Sequence, residues 1–172
     1  MNIEGKHLKF RLVQVSDANF IFGLRMNTEL NKYLSKIDVD VGKQIDWIME
    51  YKHREEEGIE YYYILEDKEF GDLGTVRIYD FVNKSFCWGS WIIKRERPTY
   101  AAVESALLVY ENAFYDLGFD KSHFHVMKKN KRVIEFHRRF GAKIVDKDSE
   151  NYYFSFSKDN YELMKSHYEK FL

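Results

Sequence analysis

The chain has 172 residues, 45% of them apolar, and a formal charge of −1 at pH 7, which suits one domain with a proper core and is short for two. That charge balance excludes bulk attraction to nucleic acid or an anionic membrane, and the single cysteine, Cys87, excludes a disulfide framework and a cysteine-built zinc site, so no metal is expected. No apolar run nears the roughly 20 residues of a membrane span, and residues 1–6 are polar without a secretory hydrophobic region, so a soluble cytoplasmic protein with no membrane partner is expected.

Leu8-Lys9-Phe10-Arg11-Leu12-Val13 alternates and predicts a first strand. Ser16-Asp17 offers an N-cap to a helix over 18–26, where Phe20, Ile21, Leu24 and Arg25 have helical spacing. A second helix is predicted over 41–57, with Ile45, Ile48 and Met49 on one face and Gly58 at its end. Residues 60–65 and 71–80 read as an antiparallel pair around the charged turn Asp67-Lys68-Glu69, and residues 85–93 as the third strand of that meander. A long helix over 101–117 carries Val103, Ala106, Leu107, Tyr110 and Phe114 on one face and closes at Gly118. A strand over 121–127, a short helix over 131–140, strands over 142–145 and 152–156, and a helix over 159–171 follow. The last helix has Tyr161, Met164, Tyr168 and Phe171 at helical spacing, a stripe suited either to covering the sheet or to joining a second subunit as a homodimer. With no linker, repeat or low-complexity tract, residues 1–172 read as one mixed α/β domain in the order β-α-α-β-β-β-α-β-α-β-β-α.

Arg97-Pro98-Thr99-Tyr100-Ala101-Ala102 stands where the strand over 85–93 passes into the long helix. The unpaired N–H groups of such a helix start converge on one spot with the positive end of the helix dipole behind them, which makes a pyrophosphate cradle. Pro98 suits a first helical turn but removes one N–H, and Tyr100 adds bulk where the backbone should approach phosphate closely. Downstream, Asn130 precedes the run Val133-Ile134-Glu135-Phe136-His137-Arg138-Arg139-Phe140-Gly141-Ala142.

The element order, the loop and the Asn130 segment together resemble the GNAT superfamily of acyl-CoA-dependent N-acetyltransferases over about residues 8–156. The family loop pattern Q/R-x-x-G-x-G/A is met by Arg97, Tyr100 and Ala102, with tyrosine in place of the central glycine. The pattern N-x-x-A-I-x-L-Y-x-K-x-G-F is met by Asn130, Val133, Ile134, Phe136, Arg139, Gly141 and Ala142, with His137 in the tyrosine place. The resemblance implies a GNAT fold, with a mixed, mostly antiparallel central sheet flanked by helices, and acetyl-CoA as cosubstrate. It assigns the cosubstrate to Arg97, to the amides of Thr99, Tyr100, Ala101 and Ala102, to the strand backbone at Trp91, Ile92 and Ile93, and to Asn130 on the pantetheine arm. Taken alone, Asn130 reads as a cap of the following helix and His137 as a residue of its surface; the element order and matched spacing favour the family roles.

Leu24-Arg25-Met26-Asn27, Leu30-Asn31-Lys32-Tyr33-Leu34 and Gln44-Ile45-Asp46-Trp47 further resemble the R-N…V-x-K-x-M…H-x-x-W arrangement of bacterial nucleotide-amino-sugar N-acetyltransferases. That likeness implies a small-molecule amine, a nucleotide-linked amino sugar, as acceptor. Arg25 would pair with a phosphate, Asn27 would line the cleft, and Trp47, Tyr79 and Trp88 would stack on sugar or base. Relatives acting on protein N-termini, lysine or polyamines share overlapping patterns, and the glycine-poor loop also admits a non-catalytic acyl-CoA-binding domain.

Transfer to an amine requires a held thioester, a polarised carbonyl, a deprotonated amine and a protonated leaving thiolate. A backbone N–H on Trp91-Ile92-Ile93 suits polarisation. Asp80, Glu60 and a water chain are the candidates for deprotonation. Cys87 stands where relatives often carry a glutamate, but between Phe86 and Trp88 it reads as a small core residue, so direct attack is expected. His137, with an ordinary pKa of about 6.5, is expected as general acid. The run 128–132 is basic and stands where side chains meet the CoA 3′-phosphate.

Overall fold

Alternate residues of the central strands point to opposite sheet faces, and each face has its own helical cover. The computed structural model describes residues 3–34 and 40–172, so Met1 and Asn2 of the polar start lie outside it. Its strands are β1 (Ile3–Glu4), β2 (Leu8–Leu12), β3 (Tyr61–Asp67), β4 (Gly71–Val82), β5 (Ser85–Ile93), β6 (Lys121–Met127), β7 (Lys143–Lys147) and β8 (Asn151–Ser157). They form one sheet in the order β1-β2-β3-β4-β5-β6-β8-β7. Every neighbouring pair is antiparallel except β5 with β6, so the mixed sheet matches the predicted architecture. The addition is β1, whose two residues are too few for a periodic signal.

One face is covered by α1 (Ala18–Met26) and α2 (Val41–Glu56), which bury Ile21, Ile48 and Tyr51 against Val13, Tyr62 and Ile64. The other carries α3 (Ala101–Glu111), α4 (Lys131–Arg139) and α5 (Lys158–Lys165), over a core rich in Phe86, Trp88, Tyr110, Phe114, Phe154 and Phe156. Tyr161 and Met164 belong to that core and Tyr168 and Phe171 pack against it, so the terminal stripe covers the sheet.

Three local departures from the predicted elements have physical causes. Asp17 does not cap α1; it is committed to Arg11, taking its two guanidinium N–H groups at 2.8 and 3.0 Å, and the helix starts from a 3-10 turn instead. The long helix widens after Glu111 into a π-helical turn over Asn112–Asp116, which puts the Asn112 amide inside to donate to the Tyr63 hydroxyl at 3.1 Å. The last helix tightens at Ser166 into a 3-10 segment, Ser166–Phe171.

Function is positioned by a fork. The parallel pairing of β5 with β6 consists of Ser85 with Lys121 and Phe86 with Ser122, after which β6 stays with β8 and β5 with β4. Two bulges bend the β4–β5 ladder beside it. At one, Ser90 and Trp91 oppose Val76, with Ser90 at φ 48°; at the other, Asp80 and Phe81 oppose Phe86, with Asp80 at φ 54°. The residue of β5 that takes the left-handed conformation is Ser90, not the neighbouring Gly89. A Cβ at Gly89 would stand 3.0 Å from the Tyr79 hydroxyl, so the Tyr79 side chain would have to give by a few tenths of an ångström.

Candidate active site

Past Phe86 the inner edge of β5 pairs with no strand among the described residues. The Lys94 N–H donates to the Leu73 carbonyl at 2.8 Å, and the Ile92 carbonyl faces Gly74 so closely that a Cβ there would come within 2.1 Å of it. Both residues therefore face β4. Alternation turns the backbone N–H groups of Trp91 and Ile93 toward the fork. Ile92 is a correction to the predicted set, since its backbone polar groups serve β4.

At the carboxyl end of β5 the loop keeps its cradle clear. The Tyr100 ring turns away, stacking on His7 at 4.1 Å and donating its hydroxyl to Asp67 Oδ2 at 2.8 Å. Burial and the Asp67 hydrogen bond push that phenol up to about 12, so it stays a neutral donor. The N-cap residue of α3, Tyr100, makes no side-chain capping bond, and the Ala101 N–H is spent on the Pro98 carbonyl at 3.2 Å. Thr99 is exposed at the loop tip, and Ala102 is half-buried in the first turn. Arg97 is tied to the Lys94 carbonyl at 2.8 Å; burial, and then repulsion by Arg132 of α4, lower its pKa. Two cations near enough to repel each other beside a helix N-terminus fit a phosphate-rich ligand such as CoA. Asn130 caps α4, its Oδ1 accepting from the Val133 N–H at 3.4 Å, which engages the oxygen and not the amide NH2.

Two predicted residues lie deeper than expected. His137 is 4% exposed among the rings of Trp88, Phe124, Phe136 and Phe154, and its Nδ1 has no hydrogen-bond partner among the described residues. Burial pulls its pKa down to about 3, which corrects the expectation of an imidazole near 6.5: the ring is neutral at cellular pH and offers only a neutral N–H. Trp88 is 5% exposed and donates its Nε1–H to the Tyr110 hydroxyl at 3.2 Å, so it leaves the acceptor-stacking set and joins the core.

The opposite face brings Trp47 of α2 together with Arg77 and Tyr79 of β4. The Arg77 guanidinium lies 4.2 Å from the Tyr79 ring centre and 5.4 Å from that of Trp47, and Arg54 lies 5.4 Å from the same Trp47 ring. Glu60 meets Arg54 at 2.9 Å and Arg77 at 4.0 Å. Burial raises the Tyr62 phenol, and Arg25 and Arg77 both oppose that rise, which places both cations near its hydroxyl. Arg54 and Arg77 thus meet at Trp47, both paired with Glu60, and Arg25 joins Arg77 at Tyr62. Asn27 is engaged in a turn, its Oδ1 accepting from the Glu29 N–H at 3.0 Å. The segment after it touches the chain just beyond each arm of the fork, through Glu29 with Arg95 at 2.7 Å and the Tyr33 hydroxyl with the Lys129 carbonyl at 3.1 Å.

Sequence reasoning missed Arg54 and Arg77. The available signal was a charge alternating with Val76 and Ile78 in the predicted 71–80 strand, which marks a face that is not packed core. On the same face Asp80 is exposed beside Cys87. Burial pushes the Cys87 thiol up, and the Asp80 charge adds to that, so the sulfur is no nucleophile at neutral pH.

A family model for the acetyltransferase (GNAT) domain matches residues 7–143. Among solved structures, FdhC, described as a nucleotide-linked sugar GNAT, is 48% identical, with a TM-score of 0.92, covering 100% of this chain and 98% of its own. The ribosomal-protein-S5-alanine acetyltransferase of Vibrio fischeri shares the fold at 14% identity and a TM-score of 0.78, covering 94% of this chain and 98% of its own. The spermidine N-acetyltransferase of Vibrio cholerae, solved with CoA and spermine, shares it at 16% and 0.74, covering 90% and 98%. No curated protein sequence matches the chain.

Proposed function

The chain belongs to the GNAT acetyltransferase family and is an acyl-CoA-dependent N-acetyltransferase, and we propose that its acceptor is the primary amine of a sugar carried on a nucleotide. The observation that carries this reading is the pair Arg54 and Arg77 on the Trp47 ring, with Arg77 also on Tyr79 and Arg25 beside Tyr62. Guanidinium groups suit a diphosphate, and the two rings suit a base or hexose face. A polyamine would meet like charge there. The 48% identity to a nucleotide-linked sugar GNAT supports the same acceptor.

In this reading the α3 N-terminus, Arg97 and Arg132 take the phosphates of acetyl-CoA, and Asn130 offers its NH2 to the pantetheine arm. Bound acetyl-CoA supplies an acyl group activated as a thioester. The Trp91 and Ile93 N–H groups stabilise negative charge on its carbonyl oxygen. Asp80 takes the acceptor's proton, since Glu60, the other acidic candidate, is committed to arginines.

The test is thiol release from acetyl-CoA in the presence of nucleoside-diphosphate amino sugars, free amino sugars, spermidine and peptide N-termini. Turnover is expected with the nucleotide-linked sugars. Arg77→Gln is expected to raise KM for them about tenfold or more, the size of a charge-assisted phosphate contact, with KM for acetyl-CoA unchanged. Preferential turnover of spermidine would sink the acceptor assignment.

A further inference from the structure

The first residues of the two fork arms beyond their last shared pair are Cys87 on β5 and His123 on β6. His123 alternates with the buried Phe124 and Ser122, and its ring turns to the same open face as Asp80. There the His123 Nε2 lies 3.0 Å from Asp80 Oδ2, and its Nδ1 lies 2.7 Å from the Ser85 Oγ. Three side chains from three adjacent strands are thereby joined in series at the crotch of the fork.

The directions of these bonds follow from the groups themselves. An ionised carboxylate only accepts, so Nε2 carries the proton and donates to Asp80. Nδ1 is then the bare nitrogen and accepts from the Ser85 hydroxyl. Ser85 thus selects the tautomer that can hold the carboxylate. The backbone adds a second constraint: Asp80 sits at φ 54° on a bulge, a conformation that aims its side chain off the regular ladder and onto the open face. Without a partner, an exposed aspartate at such a bulge would sample several rotamers.

We propose that His123, fixed by Ser85, is a positioning residue that holds the Asp80 carboxylate at the crotch of the fork in the orientation for taking a proton from the acceptor's ammonium group. The proposal rests on Asp80 as the base. The ammonium loses one proton to Asp80, which becomes a neutral carboxylic acid. The freed lone pair forms the N–C bond as the C–S bond breaks, the nitrogen's second proton goes to the departing thiolate, and Asp80 returns its proton to water at the open face.

Steady-state kinetics of the full chain tests this with the amine it turns over best. Asp80→Asn is expected to lower kcat about 100-fold or more. His123→Ala is expected to lower kcat about tenfold or more, from a misplaced base, with both KM values held within about twofold. His123→Gln, whose amide N–H can reach the place of Nε2–H, recovers most of that loss, and Ser85→Ala costs less than His123→Ala. The double variant Asp80→Asn with His123→Ala is no slower than Asp80→Asn alone, because His123 acts only through the carboxylate. Parental kcat in Asp80→Asn removes the base and the proposal with it. Parental kcat in His123→Ala beside a slow Asp80→Asn, or multiplying losses in the double variant, removes the positioning role alone. Should His123→Ala fail to fold, a His123→Gln and a Ser85→Ala both at parental kcat and an Asp80→Asn that is slow still decide between a base that needs His123 as donor and one that needs no partner: Asn at position 123, too short to reach Asp80 with its amide, must then be slow, and a fast one overturns the proposal.

Discussion

Ile78 pairs with Trp88 across β4 and β5, and the next residue of β4, Tyr79, pairs with Cys87. One residue of register separates two faces with opposite chemistry. On the first, Trp88 packs edge-on against Tyr110, which is ringed in turn by Phe114, Phe140, Phe156 and Tyr161. On the second, Tyr79 lies under an arginine and its neighbour Asp80 is open to solvent. Both aromatics look alike in the sequence as candidates to stack on a substrate. Parity along the strand decides which one can.

The strongest way to break this comparison is to truncate one aromatic from each face. Trp88→Ala leaves a cavity in the packed core and the Tyr110 hydroxyl without its donor. A loss of about 3–5 kcal/mol in urea unfolding is expected. Trp47→Ala removes a half-buried ring from the open face and should destabilise by less, below about 2 kcal/mol, while raising KM for the acceptor. Equal losses of stability with no change in KM for Trp47→Ala would mean that both faces are packing surfaces.

A second prediction uses pH to probe how well the core face is sealed. His137 is neutral in the fold, with a pKa near 3, against about 6.5 when unfolded. Its folded pKa is depressed, so the unfolded chain binds the extra proton between those values. The stability is therefore full above about pH 6.5 and falls as pH drops toward 3, by up to about 1.4 kcal/mol per pH unit from this group. His137→Leu should flatten the fall between pH 6 and 4 relative to the parent. An unchanged slope would show a ring that protonates in place, one open to the fork.

The sequence made most of the elements legible because long periodic segments announce themselves. The strand over 85–93 needed only alternation and the helix over 41–57 its spacing and closing glycine, although Met49, read onto the packed face, is 54% exposed and Tyr51 is buried in its place. The fork was not legible, since it arises where β6 stops pairing with β5, and no residue in either strand signals a partner that departs. Nor could composition reveal that Ser90 and not Gly89 takes the left-handed turn. The candidate residues on loops fared according to what else their side chains could bind. Asn130 proved to be a helix cap, with its NH2 still a donor, and Asn27 closes a turn. Asp80 was read at the end of a strand over 71–80, whereas the strand runs on to Val82 and Asp80 sits at a bulge within it, and its partners His123 and Ser85 come from strands that only the folded sheet brings together.

Tyr100 gives the finest test of the comparison, because it belongs to neither face and was read as an obstruction to phosphate. Its ring lies on His7 and its hydroxyl is bound to Asp67, a carboxylate that burial disfavours but that the Glu69 and Phe70 N–H groups and Tyr100 together hold below its ordinary pKa. The side chain thus ties the loop to the β3–β4 turn and leaves the helix start open. Tyr100→Phe keeps the stacking and deletes one hydrogen bond to a charged group, so a loss of about 1–2 kcal/mol in stability is expected, with the Kd for acetyl-CoA within about twofold of the parent. Tyr100→Gly should weaken acetyl-CoA binding even though it restores the family's glycine, since a freed loop must be ordered again by the ligand. Tighter binding by that variant would place the ring inside the cradle after all.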